Sequence, residues 1–249
     1  MRRSLRGIWL GRRRYAPVLS FMQSLQKQRQ QGRIADTVLF VEHEPVVTLG
    51  RGAQPSHVLF PRAALERQGV DVVETGRGGD VTLHAPGQLV GYPIVDLMPE
   101  RCDVRRYVRD LTETMRRLAG EHGVSAGPSE RYIGLWVDRE EPSAWRGDER
   151  ARAPAKLGAI GVAISRWVTA HGFAYNLTTN LDLYRLIVPC GIAEHGVTSI
   201  HALTGVRLEV LPAARRSLEL LAAVLEADVA AFEDRSRTSL EAASFPLPA

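Results

Sequence analysis

Cys190 is the residue of this sequence whose surroundings best suit a nucleophile. It follows the apolar run 186–189, which ends in proline, and Gly191 comes directly after it. Proline removes a backbone donor and ends strand pairing, and glycine lets another group approach the backbone closely. The pattern predicts a strand that stops at Pro189 and presents the thiol at its tip. Taken alone, a cysteine among apolar residues is more often a small buried hydrophobic side chain.

Lys156 is unusual because the chain uses arginine at nearly every other basic position. Among the 32 lysine and arginine residues, lysine occurs only at Lys27 and Lys156. Arginine cannot lose its proton at working pH, whereas a lysine partly buried by Leu157 and Ile160 can give and take one. Together with Cys190, this lysine could form a thiolate and then manage the proton of a leaving group. Since a single lysine is more often solvated, the hypothesis rests on the combination of the two residues.

The segment 75–93 has the most unusual composition of the chain. Glycines at 76, 78, 79, 87 and 91 are interleaved with Arg77, His84 and Gln88. We expect a loop whose backbone approaches a ligand closely and whose side chains donate hydrogen bonds to it. The Gly-Lys-Ser/Thr ending of a phosphate-binding loop is missing. The alternative interpretation is a glycine-rich hairpin with a buried histidine.

Hydrophobic spacing predicts the elements that must position these residues. Apolar residues at helical spacing predict helices over 15–32, 61–68, 104–120 and about 213–233. Apolar and β-branched runs predict strands over 7–10, 37–41, 70–74, 132–137, 157–164, 167–177 and 197–203, with a strand, turn and strand over 42–52. Because hairpins outnumber strand-helix alternations, we expect an α+β fold, an α/β two-layer arrangement with a mostly antiparallel sheet flanked by helices.

Length and composition predict one domain over residues 1–234 that includes the last helix, followed by a loose tail over 235–249. If the chain contains a linker between lobes, the best candidate is Thr204-Gly205, with a small C-terminal lobe after it.

Composition excludes several classes of protein. The chain has 24% charged residues, no apolar run long enough for a bilayer and no long apolar core of a secretory signal. Cys102 and Cys190 make no disulfide framework and suit a reducing compartment, so we expect a cytoplasmic protein without membrane contact. A formal net charge of +4 without zinc-finger spacing or a basic aromatic ribbon disfavours nucleic acid and suits an acidic protein partner.

The glycine-rich segment carries a family resemblance. Residues 77–93 resemble the RGGxVTxHGPGQ signature of the lipoyl(octanoyl) transferases of lipoate biosynthesis. Segments 42–51, 156–161, 171–176 and 189–191 are similar to further pieces of that family, and the resemblance covers about residues 7–205 in the family's order. The chain departs from the family at Ala85, where glycine is usual, and at Asp80 and Leu83, where glutamine and tyrosine are commoner.

The resemblance implies a biotin/lipoate protein ligase-like fold and an acyltransferase that moves octanoyl groups from octanoyl-acyl carrier protein. The implied acceptors are lysines of the lipoyl domains of 2-oxoacid dehydrogenase complexes and of the glycine cleavage H protein. Neither a cofactor nor a metal is implied, and we expect a monomer. By resemblance, Cys190 is the acyl-thioester nucleophile and Lys156 its partner. The residues implied to bind the acyl substrate are Arg77, Gly78, Gly79, Asp80, Val81, Thr82, Leu83, His84, Ala159, Ile160, Gly161, Gly172, Phe173 and Ala174.

Three other interpretations remain open from the sequence. An ATP-dependent lipoate or biotin ligase has the same fold, but it needs no nucleophilic cysteine. A metal-dependent hydrolase would use Cys190, Glu194, His195 and His201, although no zinc-motif spacing is matched. A carrier-protein binding module without catalysis is supported only by the departures at Ala85 and Asp80.

Overall fold

The computed structural model describes residues 3–189 and 195–240 of the chain. In these residues, two β-sheets are accompanied by five α-helices: α1 (Tyr15–Gln30), α2 (Arg62–Arg67), α3 (Val104–Gly120), α4 (Ile200–Thr204) and α5 (Val210–Leu225). The larger sheet has eight strands: β1 (Arg3–Arg13), β2 (Asp36–His43), β6 (Gln88–Ile94), β7 (Leu135–Asp138), β8 (Pro154–Ser165), β9 (Val168–Asn176), β10 (Gly196–Val197) and β11 (Ala227–Asp234). The smaller sheet has three: β3 (Val46–Leu49), β4 (Asp71–Glu74) and β5 (Val81–His84).

The larger sheet is a layer between two groups of helices. Val38 and Phe40 of β2 pack with α3 and α5, and the alternate residues Leu39 and Val41 pack with α1. Successive side chains of a strand point to opposite faces, so an uninterrupted apolar run such as β2 needs a cover on both faces. This architecture confirms the α+β prediction. Among the described helices, none is both long and apolar enough to cross a membrane.

The larger sheet is mixed, and antiparallel pairs are the more numerous among its described strands. Its strands follow the order β10-β8-β9-β6-β2-β1-β11, and β7 pairs with β8. The strands β2, β6, β9, β8 and β7 are joined by antiparallel pairs. The pairs of β1 with β2, β1 with β11, and β10 with β8 are parallel. The sequence indicated the hairpin of β8 with β9, whereas the antiparallel pairs of β2 with β6 and β6 with β9, like the parallel pair of β1 with β11, join segments that are far apart in the chain.

Two predicted elements near the C-terminus are wrong. The predicted strand over 197–203 is only two residues of β10 followed by α4, because the Ser199 hydroxyl caps that helix by accepting from the Ala202 N–H at 3.1 Å. The predicted helix over 213–233 ends at Leu225, where Glu226 has a left-handed φ of 57°. Residues 227–234 form β11 instead, since their backbone groups pair with the otherwise open edge of β1.

The last described part of the chain is attached to the sheet. Helix α5 packs against α3 and β1 and contributes to the main hydrophobic core, so it is no separate lobe after Gly205. The predicted loose tail begins with ordered residues: the Arg13 guanidinium donates to the carbonyls of Ser236 at 2.6 Å and Thr238 at 2.9 Å. Residues 241–249 of the predicted tail lie outside the described residues.

Candidate active site

The glycine-rich segment forms one wall of a cleft over the larger sheet. Its first part crosses onto β8, where the Gly78 N–H donates to the Val162 carbonyl at 2.8 Å. On its other side, a Cβ at Gly50 would clash with the Gly79 carbonyl, so this close approach requires glycine. Residues 81–84 and 88–94 are not loop, as the composition indicated, but β5 and β6.

Ala85 fits its place in the fold without strain. It is fully buried in the core of the smaller sheet, and it is not among the non-glycine residues with positive φ. The left-handed position of this turn is two residues later, at Gly87, with a φ of 82°. The departure from the family signature at Ala85 therefore leaves the turn intact.

The cleft encloses about 450 Å³ of space, part of it open to solvent. It is lined by Tyr15, Arg77, Gly79, Asp80, Thr82, His84, Tyr92, Ala159, Ile160, Gly161, His171, Gly172, Phe173 and Ala174. Most of the residues implied by the resemblance are thus brought together from three separate segments. Val81 and Leu83 do not line the cleft, because β5 alternates and turns them into the core of the smaller sheet. Gly78 is not in the lining either, since it lies against β8.

Arg77 acts as a buried strut between the glycine-rich segment and β3. Its Nη2 donates to the Thr48 carbonyl at 2.6 Å, and its Nε donates to the Thr48 hydroxyl at 3.2 Å. A third bond runs from Nη1 to the Gly78 carbonyl at 3.2 Å. These bonds hold the guanidinium inside the wall of the cleft, where its charge acts on the neighbouring histidines.

Asp80 lies at the more exposed end of the cleft and is also held on both oxygens. Its Oδ2 accepts from Nδ1 of His57 at 2.5 Å, and its Oδ1 accepts from the Gln54 N–H at 3.0 Å. The carboxylate that replaces the commoner glutamine therefore connects the glycine-rich segment to residues 54–57.

Three residues of the cleft were missed by the sequence analysis: Tyr15, Tyr92 and His171. Tyr15 belongs to the apolar stripe of α1, and Tyr92 lies in an apolar strand, so both follow the pattern of ordinary core residues. His171 precedes three residues that the resemblance did implicate. It has a φ of 56° in the middle of β9, and a left-handed conformation costs a non-glycine residue about 1–2 kcal/mol. Strain of this kind concentrates at functional sites.

The histidines of this region are neutral at pH 7. Burial lowers the pKa of His43 to about 4. Burial and the nearby Arg77 charge lower the pKa of His171 to about 4. The pKa of His84 is also well below its usual range, mainly because of burial and then because a protonated His43 would repel a second positive charge. Neutral rings beside the cleft suit an uncharged ligand.

We expect the free energy of unfolding to fall as the pH is lowered from 6.5 to 4. In that range the unfolded chain binds protons at His43 and His171, with ordinary pKa values near 6.5, while the folded chain does not. Each histidine contributes a slope of about 1.4 kcal/mol per pH unit. Urea unfolding at pH 7, 6 and 5 measures the loss.

The matched variants for this measurement are His43→Gln and His122→Gln. His122 lies in the turn after α3, away from the cleft, so its replacement controls for the exchange of a histidine for glutamine as such. The His43→Gln protein should show a flatter dependence. A slope equal to that of the wild type in His43→Gln would contradict the assignment.

Lys156 lies at the centre of three strands. It pairs with Trp136 of β7 on one side and with Val197 of β10 on the other, and its carbonyl accepts from the Thr198 N–H at 3.0 Å. The side chain is buried, with Nζ 5.0 Å from the centre of the Trp136 ring. His195 lies edge-on to the same ring, with centroids 5.7 Å apart.

Cys190 and Glu194 lie outside the described residues, but both flanks of this segment are described. On one flank, the Val188 N–H donates to the His57 carbonyl at 2.8 Å. The predicted strand over 186–189 is only an isolated bridge between Ile187 and Val58, because residues 181–186 coil into a 3-10 helix. On the other flank, Gly196 and Val197 pair with Ala155 and Lys156. One flank therefore lies beside His57, at the Asp80 end of the cleft, and the other flank lies beside Lys156.

Metal-ligating side chains do not cluster in residues 3–189 and 195–240. No group of three or more histidine, cysteine, aspartate or glutamate side chains there is arranged to hold an ion. Of the hypothetical hydrolase ligands, His195 contacts Tyr132 and Trp136, and His201 lies in α4.

Comparisons with known proteins agree with this geometry. The family described as "Lipoyl protein ligase A/B catalytic domain" matches residues 14–221. An octanoyltransferase of Myxococcus xanthus is 47% identical over 191 residues, which are 77% of this chain and 51% of that protein. An octanoyltransferase of Alkaliphilus metalliredigens is 38% identical over 221 residues, or 88% of this chain and 94% of that protein.

Among solved structures, a bipartite lipoate protein ligase from Thermoplasma acidophilum superposes with a TM-score of 0.68. It shares 14% identity and covers 96% of this chain, while this chain covers 91% of it. At that identity the likeness shows the fold alone, and it confirms the predicted ligase-like fold.

Proposed function

The chain belongs to the lipoyl protein ligase A/B catalytic-domain family, and from that premise we propose that it transfers octanoyl groups through a thioester on Cys190. The activity of its relatives, which are named octanoyltransferases, supports the acyltransferase assignment. The observation that carries the proposal is the cleft, in which segments 77–84, 159–161 and 171–174 face one another. The family resemblance assigned residues 77–84, 159–161 and 172–174 to the acyl substrate.

The reaction proceeds in two displacements. The Cys190 thiolate attacks the thioester carbonyl of octanoyl-acyl carrier protein, the bond from carbonyl carbon to carrier sulfur breaks, and the carrier thiolate takes up a proton. The amine of an acceptor lysine then attacks the enzyme thioester, loses a proton and releases Cys190. The products are an amide and a free thiol, so no nucleotide is consumed.

Lys156 supports these proton movements through its position. It is the lysine on the strand that also carries Ala159, Ile160 and Gly161, which line the cleft. An ammonium near a thiol favours the thiolate, and a neutral amine accepts a proton from an attacking nucleophile. We assign it both tasks.

The middle of the cleft suits an alkyl chain. Ile160, Phe173 and Ala174 provide apolar surface, and Gly161 and Gly172 present bare backbone. Burial of each methylene is worth about 0.8 kcal/mol, so an eight-carbon chain gains several kcal/mol by entering. This gain, which a short acyl group lacks, would distinguish octanoyl from acetyl donors.

The partners of the reaction follow from the family. We propose octanoyl-acyl carrier protein as donor, and as acceptors the lipoyl domains of 2-oxoacid dehydrogenase complexes and the glycine cleavage H protein. The fold is shared with a lipoate protein ligase whose structure was determined as part of a lipoylation system with its E2 lipoyl domain. We also propose a monomer that works in the cytoplasm.

The test of the proposal is transfer without nucleotide. We expect the purified chain to move octanoyl from octanoyl-acyl carrier protein to a lipoyl domain in the absence of ATP and after exhaustive chelation, as followed by the mass of the acceptor. A requirement for ATP would support the ligase alternative, and loss of activity on chelation would support the hydrolase-type metal site.

In the same assay, Ile160→Trp should lower octanoyl transfer at least tenfold. Ile160 is partly exposed at the side of the cleft, so the larger ring narrows the acyl site without overpacking a closed core. The control is Val229→Trp on β11, the edge strand at the other end of the sheet, which should keep wild-type activity. Equal rates in both variants would show that the acyl chain binds elsewhere.

A further inference from the structure

The inner end of the cleft is polar, although its middle is apolar. Gly79 is exposed and marks the mouth. Four polar side chains of the lining are as buried as its apolar residues Phe173 and Ala174: Tyr15 (2% exposed), Tyr92 (3%), His171 (3%) and His84 (5%). Hydroxyl and imidazole groups thus lie where the tail of a bound acyl chain would end. We call these four residues, with His43 behind them, the polar floor.

The groups of the polar floor are bonded to one another and to the backbone. Nδ1 of His43 lies 3.1 Å from the Arg13 carbonyl, which can only accept, so this nitrogen carries the proton. Nε2 of the neutral ring is then an acceptor, and the Tyr92 hydroxyl donates to it at 2.9 Å. Moving the Tyr92 hydroxyl would leave two buried polar atoms without their partner.

A second anchor holds the other side of the floor. Nδ1 of His84 donates to Oε1 of Gln88 at 2.8 Å, and the amide nitrogen of Gln88 donates to Oδ1 of Asn176 at 2.9 Å. The Tyr15 ring stacks on His84 with centroids 5.9 Å apart and lies 5.0 Å from the His43 ring. Because these rings pack against one another, none of them can move away from the cleft without displacing its neighbours.

We propose that the polar floor sets the length of the acyl chain, with Tyr92 and Tyr15 as specificity-determining residues. The proposal rests on the proposed function, in which the acyl chain occupies this cleft. A chain that ends short of the floor leaves its hydrogen bonds intact. A chain two carbons longer must displace the Tyr92 hydroxyl from His43, and a methyl group cannot replace the lost bond.

The neutrality of these imidazole groups suits contact with the end of an alkyl chain. Charged imidazoles would bind water or an anion at the end of the cleft, whereas neutral rings tolerate a methyl group in van der Waals contact. The limit on chain length then comes from the hydrogen bonds and ring contacts within the polar floor, which a longer chain would have to break. Shorter chains lose methylene burial, so the two effects together favour one length.

The test is the chain-length profile of Tyr92→Phe. This variant removes the hydroxyl, makes the floor less polar and leaves room at its surface. With acyl-acyl carrier proteins of six to twelve carbons, we expect the ratio of decanoyl to octanoyl kcat/KM to rise by roughly tenfold, a factor equivalent to about 1.4 kcal/mol. Tyr15→Phe, whose hydroxyl lies 3.5 Å from Nδ1 of His171, should shift the ratio in the same direction.

The matched control is Tyr175→Phe. Tyr175 is a buried tyrosine of the same sheet, but its side chain packs in the main core, outside the cleft lining, and its hydroxyl has no hydrogen-bond partner among the residues that the structure describes. Removing that hydroxyl should leave the chain-length profile unchanged. A general loss of stability lowers all rates together, so the ratio separates specificity from folding.

The outcomes separate the two proposals. If the ratio is unchanged in both Tyr92→Phe and Tyr15→Phe while Ile160→Trp still blocks transfer, the acyl chain lies in the cleft but the polar floor does not measure it. If Ile160→Trp has no effect either, the acyl site itself is misassigned. A rise of the ratio in Tyr175→Phe equal to that in Tyr92→Phe would also overturn the proposal.

Discussion

Cys190→Ser should abolish octanoyl transfer, with a loss of at least a thousandfold. A serine hydroxyl is hardly ionised at neutral pH, and a lysine near it does not convert it into a nucleophile comparable to a thiolate. Intact-mass analysis after mixing with octanoyl-acyl carrier protein should show one octanoyl adduct on the wild type and none on the variant. Digestion should place the adduct on the peptide that contains Cys190.

Cys102→Ser is the matched control, because Cys102 is the other cysteine of the chain. It is exposed, and its Sγ makes a weak contact with the Leu97 carbonyl at 3.7 Å. It lies near the start of α3 and does not line the cleft. Octanoyl transfer by this variant should remain within twofold of the wild type. If this variant loses activity and the octanoyl adduct of the wild type lies on the peptide that contains Cys102, the nucleophile is Cys102.

Lys156→Arg should lower the rate of transfer by about 10²- to 10⁴-fold, the range typical of general acid-base assistance. Arginine keeps the positive charge, but its pKa is above about 12, so it cannot return a proton to the carrier thiol or take one from the acceptor amine. The Cys190 thiol of this variant should still react with a small alkylating reagent at moderately low pH, because the charge that favours the thiolate is retained.

Lys27→Arg provides the control for this substitution. Lys27 is exposed on α1 and does not line the cleft, so both activity and thiol reactivity should match the wild type. Because Lys156 is buried against Trp136, the larger guanidinium also tests the packing, and thermal unfolding of both variants measures that effect. A Lys156→Arg protein with normal stability and a rate within a few-fold of the wild type would leave Lys156 with an electrostatic role alone.

The candidate site was predictable where chemistry depends on rare residue types. Cys190 and Lys156 stand out because the chain has few cysteines and lysines, and the glycines of 76–91 stand out because close backbone approach has a compositional signature. The strands β8 and β9 were also indicated, since apolar and β-branched patterns reflect burial, whereas β5 and β6 were expected to be loop. His84 shows the limit of sequence-based prediction, because the sequence around it fitted both a hydrogen-bond donor in a loop and a buried histidine in a hairpin.

The errors came from short segments whose local pattern supports two structures. Residues 227–234 continue the helical spacing of α5, and the free edge of β1 decides that they become a strand. Val81 and Leu83 lie in the family signature together with Thr82 and His84, but the two-residue period of a strand sends the pairs to opposite sides. In both cases the deciding partner is distant in the chain.

The sequence by itself determined the nucleophile candidate, its lysine, the glycine-rich wall and the α+β class, because these depend on residue chemistry and local periodicity. Only the tertiary structure decided that Tyr15, His43, Tyr92 and His171 meet at the end of one cleft. These residues come from α1, β2, β6 and β9, whose neighbours are set by the order and register of the sheet. Strand order depends on pairing between distant segments, and no local pattern in the chain records it.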